Sequence, residues 1–127
     1  MSIQGTVAPG TSIGAIDVTV NLPSGVTARA DAVTGETSPG VVVPSGNGLG
    51  STIAAKYTAA TTTAPGTIRI GVINSAGAKA GEMLALNLDI SGAAPSVSGF
   101  GTTGLSVVEL NGSALSGMAA ALTLQLI

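Results

Sequence analysis

The side chains able to do chemistry in this chain are few and scattered. Acids stand at Asp17, Asp31, Glu36, Glu82, Asp89 and Glu109, and bases at Arg29, Lys56, Arg69 and Lys79. There is no histidine and no cysteine. A Ser-His-Asp triad, a histidine general base, a thiol nucleophile and a zinc site built on His or Cys are therefore excluded. Two arrangements remain formally open: a Ser-Lys pair using Lys56 or Lys79, or two carboxylates of the kind that hydrolyse glycosides. Neither lysine lies near a recognisable nucleophile motif. Asp17 and Asp89 fall at outward positions of alternating stretches, where an acid is ordinary solvent-facing polarity. A glycosidase cleft or a sugar-binding strip also needs flat aromatic platforms. This chain has Tyr57, Phe100 and no tryptophan. No D-x-[DN]-x-[DN]-G calcium loop is legible. The residues thus predict a non-catalytic protein with no cofactor, for which carbohydrate is an unfavoured ligand.

The charge pattern narrows the partners further. Charged residues make up 8% of the chain, against about a quarter in an average soluble domain. The formal net charge is -2 and the four bases are dispersed, so no basic patch is available to neutralise a phosphate backbone. Nucleic acid is not an expected partner. Gly, Ala, Ser and Thr occupy the places that charged residues usually hold, which suits an exported or assembled protein. The opening "MSIQGTVAPG" has no basic segment followed by an apolar core, so an exported chain is expected to have lost its leader. No run approaches the ~18 apolar residues of a membrane-spanning helix. Asn111-Gly112-Ser113 is formally a glycosylation sequon, but it reads first as a hairpin turn. The Thr-rich "TAATTTAPGT" at 58–67 has the bias of O-glycosylated segments and reads first as a flexible loop.

These residues must be positioned by strands. A chain of 127 residues fits one domain, 1–127, with a core of its own. In "IDVTVNLPSGV", Ile16, Val18, Val20 and Leu22 alternate with Asp17, Thr19 and Asn21 before a Pro-Ser-Gly turn. That period of two predicts a half-buried strand over 13–22. The same reasoning predicts strands at 3–8, 26–30, 51–57, 67–73, 83–90, 96–100, 105–110 and 119–127. A short extended piece at 41–43 lies inside a Gly- and Pro-rich excursion, 31–50. In 83–90, Leu84, Leu86, Leu88 and Ile90 are expected to face in, with Met83, Ala85, Asn87 and Asp89 facing out. Residues 114–121 are the one stretch open to a helical reading, and their glycines argue against it. The predicted architecture is all-β: a two-sheet β-sandwich, jelly-roll-like, of about nine strands.

Three segments carry a resemblance. "GTSIGAIDVTVNLPSGVTA" resembles the second strand and following turn of cohesin domains. "GTIRIGVINSAGAKAGEMLALNLDISG" resembles their paired central strands, and "LSVVELNGSALSG" is similar to their closing segment. The likeness runs over most of the chain, through loose strand patterns. It departs from the family at Asn21-Leu22-Pro23, where the family's turn usually carries an acid. The resemblance implies a jelly-roll-like sandwich in an extracellular protein, which binds a partner module such as a dockerin through one sheet face.

Two functions follow as expectations. The first is a cohesin-like extracellular protein–protein interaction module, with a dockerin-like or other surface protein as partner. The second is a self-associating structural subunit of a surface fibre, S-layer or virion coat. Either would work through outward strand positions, and Asp17, Thr19, Asn21, Arg69, Asn87 and Asp89 are the predicted contacts.

Overall fold

The computed structural model of the protein describes residues 1–126. Its architecture is a β-sandwich of antiparallel sheets. One layer is a four-stranded sheet. It contains β2 (Ile13–Leu22), β5 (Thr52–Thr58), β6 (Gly66–Ala78) and β10 (Gly101–Glu109), in the order β10-β2-β6-β5. The alternation in β2 is realised as written: Ile16, Val18, Val20 and Leu22 are buried, and Asp17, Thr19 and Asn21 are half-buried on the other face. Val18 pairs with Ile70 and Val20 with Ile68, so the inward rows of the two central strands share one apolar face.

The second layer is built around the run 81–90, which makes three short strands instead of one. β7 (Gly81–Glu82) pairs with β1 (Ser2–Gln4), and β1 pairs in turn with β11 (Ala119–Ala121). β8 (Leu84–Leu86) pairs with β4 (Val42–Pro44), and β9 (Asp89–Ile90) with β3 (Val26–Thr27). The expected alternation therefore fails at both ends of 83–90. Met83 is fully buried beside Leu84, whereas Ile90 is 44% exposed. The cause is local. The backbone N–H groups of Met83 and Leu84 both donate to the carbonyl of Met1. Two successive donors on one acceptor break the pleat, and the side chains on either side lose their strict parity.

Other differences have similar causes. β6 runs on to Ala78, through residues expected to form a loop. Asn74 makes this possible: it is buried, its Nδ2 donates to Ser51 Oγ, and its Oδ1 accepts the N–H of Ala76. Residues 96–100, expected as a strand, hold the 3-10 turn Val97–Gly99. The predicted strand 119–127 pairs only over Ala119–Ala121, and Ile127 lies outside the described residues. Residues 114–121 form no helix. The described residues form eleven strands, several of them only two or three residues long.

The core lies between the layers. Ile16, Val18, Val20, Ile68, Ile70 and Val72 of the four-stranded sheet meet Ile3, Val41, Met83 and Leu84 of the other. Each such side chain contributes about 1.5–3 kcal/mol by leaving water. Tyr57 and Phe100 are partly buried against this core.

Candidate functional site

The four-stranded sheet keeps its inner face on the core, and its outer face is a shallow concavity of about 730 Å³. The strand register sets its rows. Thr19 lies opposite Arg69, and Arg69 opposite Lys56. One step along, Asp17 lies opposite Gly71, Gly71 opposite Ala54, and Ser106 opposite Asp17 on the far side. The next row is Val108, Ala15, Ile73 and Thr52. The floor is thus small or apolar. Ile73 stands on it 62% exposed, and at Gly71 the nearest atom to an added Cβ would be 3.9 Å away.

Charge frames this floor. Arg69 reaches diagonally to Asp17, with Nη2–Oδ2 at 3.0 Å and Nε–Oδ1 at 3.4 Å. This hydrogen bonding raises the Arg69 pKa above its ordinary value. Both side chains are largely exposed, so the pair contributes little to stability and leaves two oriented charges on the surface. Lys56 lies directly beside Arg69 on β5, and at the β5 rim its backbone pairs with that of Glu36 in an isolated antiparallel bridge.

Glu36 reaches that rim on a hairpin within the 31–50 excursion. Ser38 N–H donates to the Arg29 carbonyl and Asp31 N–H to that of Glu36. At the tip, Asp31 Oδ1 accepts the N–H groups of Val33 at 2.9 Å and Thr34 at 2.8 Å, a local turn that Asp is suited to make. Tyr57 N–H donates to Gly35 O and Thr37 N–H to Ala55 O, so residues 35–37 cover the β5 edge. The backbone donors, Thr34 first, hold the Asp31 carboxyl below its usual pKa. A lowered folded pKa means a contribution present above the unfolded value, about 3.9, and lost as pH falls through the folded one. Acidification is therefore expected to loosen this hairpin. An NMR titration should show the Val33 and Thr34 amides shifting with a midpoint below about 3.9, the ordinary Asp value; a midpoint at or above it would contradict the turn.

The predicted contact residues divide between two places. Asp17, Thr19, Asn21 and Arg69 share the outer face of the four-stranded sheet. Asn87 and Asp89 belong to the other layer. Asn87 Nδ2 donates to Gly40 O at 2.8 Å, and Asp89 faces Arg29 at 3.6 Å, so both tether the excursion. Sequence reasoning missed Ala15, Ala54, Gly71 and Val108, because small residues in strands read as filler. Ile73 was legible: parity with Val72 inward puts it outward. No aromatic side chain lines the concavity.

No helix among the described residues is long and apolar enough to cross a membrane. Comparison with protein-family models, curated proteins and solved structures returns no match.

Proposed function

We propose that this domain is a non-catalytic protein–protein interaction module of an extracellular or cell-surface protein, cohesin-like in its mode of action. Its partner docks on the outer face of the β10-β2-β6-β5 sheet. The observation that carries this reading is the composition of that face. A floor of Ala15, Ala54, Gly71 and exposed Ile73 lies beside the row that carries Arg69 and Lys56, with Asp17 paired to Arg69 at its margin. Bare floor lets a partner's backbone or side chains approach closely, and the framing charges set orientation and encounter rate. The resemblance of the strand segments to cohesins makes a dockerin-like module the first partner to try.

The test is calorimetric titration of the domain with a panel of dockerin modules and with surface proteins that the domain retains from an extract of its own source. Ala54→Arg combined with Ile73→Asp fills the floor and reverses its polarity, at two exposed positions. Binding is expected to weaken at least tenfold, with the thermal midpoint unchanged within a few degrees. Equal affinity for the two proteins would show that the partner binds elsewhere.

A further inference from the structure

The two lateral edges of the sandwich are treated differently. At β5 the edge is covered by residues 35–37, with Lys56 and Glu36 alongside. At the other side lie β10 and β11. The end of β10 is covered: Leu115 N–H donates to Val107 O and Glu109 N–H to Ser113 O. Its first half is interrupted by a register shift between Thr103 and Ser106, where Gly104 has φ 65. A bulge of this kind protects an edge from further pairing.

β11 has no such protection. It pairs with β1 on one side only. Beyond Ala121, residues 122–126 have no strand partner on either side. From Ser91 to Ile127 the only charged side chain is Glu109, and 119–126 contains neither charge nor proline. Natural edges are guarded by lysine, proline, bulges or cover, and among the described residues none of the four guards β11.

We infer that residues 119–126 pair antiparallel with the same residues of a second copy of this chain, joining the two β7-β1-β11 sheets across a two-fold axis. Self-complementarity selects a second copy over another partner. Two-fold pairing places each residue opposite one of the same parity. Ala120 lies opposite buried Ile3 on the core side, and Leu122, Leu124 and Leu126 share its parity. Their rows would meet each other as cross-strand apolar pairs. Thr123 and Gln125 would meet on the outer face, where no charge opposes its own image. In the single chain, residues 122–125 line a mixed groove of about 260 Å³, in which Leu122 and Leu124 join Leu86, Leu88 and Phe100 on the apolar side and Glu82 and Asn87 supply polar walls. Leu126 remains 53% exposed, so pairing extends an existing core instead of creating one. This association is separate from docking on the outer sheet face.

Sedimentation velocity over rising concentration is the test. The full chain is expected to pass from monomer to dimer. Thr123→Lys combined with Gln125→Lys, at two exposed polar positions, opposes like charges across the axis and should weaken the dimer at least tenfold. Mixing it with Thr123→Glu combined with Gln125→Glu should restore dimers as a heterodimer. A full chain still monomeric at about 1 mM would overturn the inference. So would a dimer that survives the lysine variant, or one that the Ala54→Arg, Ile73→Asp protein alone abolishes.

Discussion

Replacing Gly48 by alanine is expected to destabilise the domain by about 3 kcal/mol, although it adds one methyl group to a short turn. A Cβ on Gly48 would overlap the Met83 carbonyl oxygen and stand 2.7 Å from its carbon. The obstruction is backbone, and that backbone has no room to move. Met83 is fully buried, its carbonyl accepts the N–H of Ser45, and its N–H donates to Met1. The turn is tied down as well, through Asn47 Nδ2 donating to Ala80 O at 2.9 Å. Relief requires separating the 45–50 turn from the run that organises the second layer. Denaturant unfolding should show the midpoint falling with an unchanged m-value. Gly71→Ala is the matched control: no neighbour lies closer than 3.9 Å to its Cβ, and the change should stay within about 0.5 kcal/mol. Equal effects at the two glycines would contradict the packing described for Met83.

The second large effect is at Ile70. It is fully buried and pairs with Val18 on one side and Ala55 on the other, at the middle of the sheet that presents the candidate surface. Ile70→Ala should cost about 4 kcal/mol, from lost transfer energy and the cavity left behind. Three residues on in the same strand, Ile73→Ala removes a side chain that is mostly in water. It should change stability by less than about 0.5 kcal/mol while weakening partner binding. The pair separates scaffold from surface within one strand. Comparable stability losses at both positions would mean that Ile73 is covered.

This contrast also explains what the sequence made legible. Strict alternation in 16–22 and 67–73 reports a sheet with one wet face, so β2 from Ile16 onward and the first half of β6 were readable to the residue. The run 83–90 looked equally regular and was not. Counting Gly81–Glu82 just before it, the partners change from β1 to β4 to β3, and that switching is set by segments far away in sequence. In residues 31–50 only the short extended piece at 41–43 was legible, because the rest is held by a tight local hairpin and by backbone bonds to Arg29 and β5. Asp17, Thr19, Asn21 and Arg69 share one outer face because polar residues mark outward parity. Asn87 and Asp89 satisfy the same rule on the other layer. Parity identifies a face, but it does not say which sheet the face belongs to.

The central claim is that the outer face of the four-stranded sheet is where a partner protein sits. Site-specific photo-crosslinking tests it most directly. A benzophenone side chain would be placed at Ala54 on that face, at Thr27 on the outer side of the second layer, and at Thr123 beside the β11 edge. Each protein is then irradiated with a surface extract of its source, or with a dockerin module shown to bind. One heterologous adduct is expected from Ala54, none from Thr27, and only chain-to-chain adducts from Thr123. The same heterologous adduct from Thr27 but not from Ala54 would place the partner on the opposite layer and contradict the account.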